Sequence, residues 1–129
     1  ENIEKMMTGF IYRAKKNKKA ITAFVKKKNK EGKKIFLYGA STKGNTVLQY
    51  YRLDNKIIPY AAERSPEKWG RYTVGTGIKI ISEKKARILK PDYFLVTPWG
   101  FIKEFLKREK KWRKNGGKFI VPFPKFKVI

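Results

Sequence analysis

Residues 36–54 read FLYGASTKGNTVLQYYRLD: an apolar run, a glycine-containing turn with Ser, Thr and Lys, then a segment whose apolar residues recur at helical spacing. A buried strand, a tight turn and a helix in that order open a parallel α/β sheet. The turn then lies at the carboxyl edge of the sheet, where such folds bind ligands. Gly39 supplies the bend and Gly44 lets the helix pack closely. Ser41 and Thr42 offer hydroxyls, Lys43 an ammonium, and the amides on to Asn45 complete a set of donors that suits an anion at a helix N-terminus. The turn is not the dinucleotide fingerprint G-x-G-x-x-G, because Ser41 stands at the middle glycine. It is not a Walker A loop, because the spacing before Lys43 is too short, and it is not a nucleophile elbow. Pattern alone leaves two readings open, a phosphate site and an ordinary turn.

Upstream, Ile3, Met6, Met7, Phe10, Ile11, Ala14, Ile21, Phe24 and Val25 follow spacings of three and four. They describe one face of a leading helical segment over 1–31, with KKNKK and KKKNK on its solvated side and Gly32 as the stop. The polar interval 15–19 leaves room for a break into two helices. Downstream, apolar runs at 57–62, 78–81, 92–96 and 118–121 read as strands, with Pro59 marking an irregular start to the first. Ser82 N-caps a short helix to about Leu89, and 101–115 is a helix with Phe101, Ile102, Phe105, Leu106 and Trp112 on one side. Strands separated by helices imply one domain over 1–129: a small Rossmann-like three-layer α/β core over 32–129, with a mostly parallel sheet of about five strands.

Length and composition agree with one core, since 129 residues with 41% hydrophobic and 15% aromatic content are too apolar for a disordered polycation. There is no apolar run of about 18 residues or more and no signal-peptide pattern, so a cytoplasmic location without a membrane is expected. The first residue is Glu1, which reads as a fragment of a longer chain. The sequence contains no Cys and no His, which removes thiol nucleophiles, disulfides, Cys/His zinc sites and imidazole-dependent triads. Asp54 and Asp92 are the only aspartates, so neither a metal site nor a catalytic residue is expected in this chain.

The formal charge of +23 raises the competing class, a basic nucleic-acid-binding α/β module. Only seven of the 33 basic residues are Arg, and the lysines spread over almost every exposed face. Surfaces that clamp phosphates or read bases favour Arg, so nucleic-acid binding is expected to be non-specific. The two classes are separated by where arginines and aromatics converge: on one cleft, or along a stripe.

A second group of residues points to the same edge as the turn. About 20 residues beyond it, the second strand ends in Glu63-Arg64, where an acid can accept ribose hydroxyls or pair with a neighbouring cation. The following loop, ERSPEKWGRYTVGTG, carries Lys68, Arg71 and Tyr72, and Trp99 after the fourth strand offers either an aromatic wall or a cap on the core.

YGASTKGNTVLQYYRLD, ERSPEKWGRYTVGTGIKIIS, KPDYFLVTPWGF and NGGKFIVPFP occur in this order. Together they resemble the C-terminal domain of the sugar-nucleotide C-methyltransferases, over most of the chain from about Lys34 onward. The resemblance implies a substrate-binding domain for a nucleotide-linked sugar, preceded in the same chain by a domain that binds S-adenosylmethionine. It implies no cofactor in this segment and no methyl transfer by it alone. Ser41, Thr42, Lys43 and the amides near Gly44 would hold phosphate, with Glu63, Arg64 and Arg71 near ribose or phosphate. Val74, Gly77 and Gly100 depart from that family's usual Pro, His, and His or Asn.

Overall fold

A computed structural model of the chain describes residues 2–97, 99–122 and 125–129, and the side chains of all of these except 2–8, 10, 11, 13, 14, 16 and 99. The leading segment is one helix, α1 (Asn2–Lys30), with no break at 15–19. Lysine and asparagine cost little inside a solvated helix, and Thr22 returns its hydroxyl to the Lys18 carbonyl at 2.7 Å. Ile21 and Val25 of its apolar face are fully buried, while the packing expected of Ile3, Met6, Met7, Phe10, Ile11 and Ala14 falls outside the described side chains. Gly32 ends the helix with φ 81°, where its amide reaches Asn29 and that of Lys33 reaches Lys28, satisfying two terminal carbonyls.

The core follows as β1 (Ile35–Tyr38), α2 (Thr42–Tyr51), β2 (Tyr60–Glu63), β3 (Lys79–Ser82), α3 (Glu83–Ile88), β4 (Tyr93–Val96), α4 (Ile102–Arg108), α5 (Lys110–Lys114), β5 (Lys118–Val121) and β6 (Lys127–Val128). The sheet order is β3-β2-β1-β4-β5-β6. The first five strands are parallel, with Leu37 opposite Ala61 and Leu95, while β6 returns antiparallel to β5 through Val121 and Lys127. Six strands thus replace the expected five. The second strand begins later than expected because Pro59 offers no ladder donor, and Ile57 and Ile58 turn back to the Asp54 carbonyl instead.

Strand alternation divides the core into two layers. Ile35, Leu37, Ala61, Ile80, Leu95 and Ile120 face Val47, Leu48 and Tyr51 of α2 and Ile21 and Val25 of α1. Phe36, Tyr38, Ala62, Ile81, Phe94, Val96, Phe119 and Val121 face Ala86 of α3 and Phe105 of α4. Helices therefore cover both faces, giving the three-layer Rossmann-like arrangement. The expected helix over 101–115 is divided at Glu109, whose backbone (φ −102°, ψ 23°) leaves helical geometry as its side chain turns into the core.

Candidate functional site

The sheet order reverses between β1 and β4, so crossovers leave β1 in both directions and open a crevice beyond the carboxyl ends of the strands. A cleft of ≈ 300 Å³ lies there, on the α3 and α4 side. One wall is the β1–α2 turn, with Gly39 (φ 85°) permitting the change of direction that leads to Ala40 and Ser41. A second wall is the end of β2, with Glu63, Arg64 and Lys68. The third is Glu83 of α3 with Phe101, Glu104 and Arg108 at and along α4, above a floor of Tyr38, Ala62 and Phe105.

Glu63 holds the first two walls together. Its Oε1 accepts the Ala40 amide at 2.9 Å and its Oε2 the Ser65 amide at 3.0 Å, with Lys68 Nζ 4.0 Å away. Burial pushes its carboxyl up, but those amides and Lys68 outweigh it and hold the pKa below the ordinary glutamate value of 4.5. At the turn, Ser41 Oγ accepts the Gly44 amide at 3.0 Å as the N-cap of α2. Gly44 rests against Thr97 at the end of β4, so closely that a Cβ there would collide with the Thr97 side chain. Thr97 is buried, and its Oγ1 has no hydrogen-bond partner among the described residues.

Beneath the cleft runs a closed polar ring. The Tyr38 hydroxyl donates to Glu109 Oε2 at 2.7 Å and accepts from Arg108 Nε at 3.1 Å. Glu109, 2% exposed, accepts Arg87 Nε at 2.8 Å and Nη2 at 2.6 Å. Arg87 reaches Glu83 at 3.2 Å, and Glu83 closes the ring to Arg108 at 3.8 Å. Burial and the adjoining Glu109 carboxylate both raise the Tyr38 pKa, so its proton stays on the phenol. The Glu109 hydrogen bond raises the Arg87 pKa against burial. Four of the ten acidic residues of a +23 chain are therefore gathered at or under this one cleft, with Glu63, Glu83 and Glu104 matched against Arg64, Lys68 and Arg108.

Of the residues singled out in the sequence, the cleft brings together Gly39, Ser41, Glu63, Arg64 and Lys68. Thr42 and Lys43 are exposed on the first turn of α2, beside the cleft and not in its lining. Asn45 clips the long loop to α2, donating from Nδ2 to the Val74 carbonyl at 2.7 Å and accepting from Thr76. Arg71 and Tyr72 lie along the β3 edge, where Arg71 accepts the Ile80 amide at 2.8 Å and Tyr72 bridges to Lys79. The Trp99 side chain is outside the described residues. Tyr38, Glu83, Phe101, Glu104, Phe105 and Arg108 were not anticipated as site residues. The Glu104–Arg108 spacing of four on one helix was the available signal.

A larger hollow of ≈ 750 Å³ lies at the opposite, amino edge, over Trp112 and between the stems of Lys84, Lys90 and Lys111. Trp112 is fixed there by its indole N–H on the Pro91 carbonyl at 2.8 Å. The α2 N-terminus and the β1 turn point away from that edge, so the carboxyl-edge cleft is the candidate site. No group of three acidic, His or Cys residues that could hold a metal, and no helix long and apolar enough to cross a membrane, occurs among the described residues.

Comparison of the sequence with known families matches residues 2–124 to the C-methyltransferase C-terminal domain. The chain belongs to the C-methyltransferase C-terminal domain family. It is also 36% identical over 99 residues to the C-methyltransferase NovU of Streptomyces niveus, an alignment that takes in 77% of this chain and 24% of NovU. The chain thus spans about a quarter of the length of that relative. Membership implies S-adenosylmethionine for a full-length C-methyltransferase.

Proposed function

We propose that this C-methyltransferase C-terminal domain binds a nucleotide-linked sugar, and that methyl transfer to the sugar belongs to a longer protein in which a domain upstream holds S-adenosylmethionine. The observation that carries the reading is the cleft at the carboxyl edge, where two arginines of seven (Arg64 and Arg108), three carboxylates and the rings of Tyr38, Phe101 and Phe105 converge. Mixed acids and bases suit a ligand that carries both hydroxyls and phosphate, and the aromatic rings suit a base or the apolar face of a sugar. Convergence on one cleft, with arginines used there in preference to lysines, favours a nucleotide over the nucleic-acid alternative. The first-turn amides of α2, with Thr42 and Lys43 beside them, add an anion-binding terminus next to the cleft.

An amide-shift titration of the chain with uridine diphosphate tests this. Perturbations are expected at 39–45, 63–68 and 101–108. Shifts scattered over the lysines of α1, or gathered at 84–91 and 111–117, overturn the assignment. Incubated with S-adenosylmethionine and a keto-sugar nucleotide, the chain is expected to give no methylated product by mass spectrometry, because deprotonation and transfer need a donor and a base beside the substrate carbon.

A further inference from the structure

The two cleft-lining arginines stand on different walls, Arg64 after β2 and Arg108 in the last turn of α4. Glu104 lies between them. Its Oε1 is 3.7 Å from Arg64 Nη1 and 3.8 Å from Arg108 Nη1. Both separations are too long for hydrogen bonds, and the Arg64 and Glu104 side chains are 65% and 57% exposed, so these contacts are weak and easily exchanged. Arg108 is held differently. Its Nε is fixed on the Tyr38 hydroxyl, its guanidinium lies 5.1 Å from the Phe105 ring centroid, and its Nη2 is 3.8 Å from Glu83. Yet its Nη1 is buried without a hydrogen-bond partner among the described residues. Buried donors in folded proteins are almost always paired, so an orphan on a rigid guanidinium at a cleft indicates an acceptor still to arrive.

We propose that Arg64 and Arg108 form a clamp for one phosphate group of the ligand, and that Glu104 is an internal anion occupying the clamp until that phosphate displaces it. The proposal rests on the nucleotide-sugar reading of the cleft and adds where its charged part is held. Phosphate oxygens can accept from both guanidinium forks at hydrogen-bond distance, which one loosely placed carboxylate does not achieve. Displacement moves Glu104 towards water and gives Arg108 Nη1 its acceptor. A ligand without phosphate leaves Glu104 in place, so the exchange also selects against unphosphorylated sugars and nucleosides.

Calorimetric titrations of the chain at physiological salt with inorganic pyrophosphate, uridine diphosphate and uridine test the clamp. Glu104→Gln keeps the shape and removes the competing charge, so it is expected to tighten pyrophosphate and uridine diphosphate by up to about fivefold and leave uridine unchanged. Arg108→Lys is expected to weaken both phosphate ligands about tenfold or more, with Arg64→Lys a smaller effect because Arg64 is exposed. Glu31→Gln, at the far end of α1, changes net charge equally and serves as the control. If it tightens binding as much as Glu104→Gln, the effect is general charge and the clamp is wrong. Uridine diphosphate that binds in the cleft with unchanged or weaker affinity for Glu104→Gln overturns the clamp and leaves the functional reading standing. No binding of uridine diphosphate to the wild-type chain overturns both. Glu104 is 57% exposed and makes no hydrogen bond to either arginine, so the result for Glu104→Gln stands even if Arg108→Lys unfolds the protein.

Discussion

The two faces of the sheet are built from alternate residues of the same strands, yet they pack by different chemistry. Towards α1 and α2 the contacts are almost all aliphatic, with Ile35, Leu37, Leu48, Leu53, Ile58, Ile78, Leu95 and Ile120 at 1% exposure or less. Towards α3, α4 and α5 half of the buried side chains are aromatic. Tyr38 lies edge-on to Phe94, Phe105 and Phe119 with centroids 4.8 to 5.5 Å apart, and its hydroxyl opens into the ring of Glu109, Arg87, Glu83 and Arg108. Non-directional burial is enough to hold a scaffold layer. A layer that must aim a guanidinium at a cleft needs directional bonds from a fixed frame, and rigid rings with one polar tip supply them.

That contrast can be broken most severely at Glu109. Glu109→Ala leaves Arg87 and the Tyr38 hydroxyl without their acceptor in a buried setting, and should cost about 3–5 kcal/mol in urea unfolding. It should also weaken uridine diphosphate binding, because Arg108 loses its anchored neighbour. On the other face, Leu48→Ala should cost about 2–4 kcal/mol yet leave the affinity of the folded protein unchanged. Equal losses of affinity from the two variants would mean that the faces are not separable in function. Gly44→Ala sits where the layers meet the turn, and its methyl forces Thr97 or the start of α2 to move. About 1–3 kcal/mol is expected, with cleft amide shifts already displaced in the free protein.

The smallest effect concerns acid. The Glu63 pKa is lower folded than unfolded, so its contribution to stability is complete above about 4.5, the ordinary value, and is lost as pH falls through the lower folded value. The joint between the β1–α2 turn and the loop after β2 should therefore loosen first as the pH drops below 4.5, seen as faster amide exchange at Ala40 and Ser65. Glu63→Gln should remove that pH dependence while leaving exchange on the aliphatic face unaltered.

How much of this was legible in the sequence follows from the range of the interactions. The strands could be read because residues such as Ile35 to Tyr38 are buried on both sides, and the Ser82 cap because its hydroxyl bonds an amide three residues on. Pro59 hid the true start of β2, since the apolar Ile57 and Ile58 before it belong to a turn. β6 spans only two residues and is defined by its pairing with β5, so no local pattern could announce it. The cleft was half visible. Gly39, Ser41, Glu63 and Arg64 sit at strand ends that sequence can locate, whereas Glu104 and Arg108 reach the same space across a crossover more than 60 residues from the turn. In the structure Glu104 is 57% exposed and Arg108 only 20%, and helical periodicity marks neither as a cleft residue. The division at Glu109 was hidden for the same reason, because its partners Tyr38 and Arg87 lie 71 and 22 residues away.

The beginning and end of the chain meet across the β5 side of the sheet. Asn17 of α1 donates to the Pro122 carbonyl at 2.9 Å over a separation of 105 residues, and Phe24 packs edge-on against Phe126. During synthesis the chain emerges in order, so α1 is made long before its partners Pro122 and Phe126 exist. Its dense lysine face keeps that waiting helix dispersed through mutual repulsion. A nascent chain truncated before Pro122 should therefore hold α1 only by its contacts with α2 and the aliphatic face of the sheet.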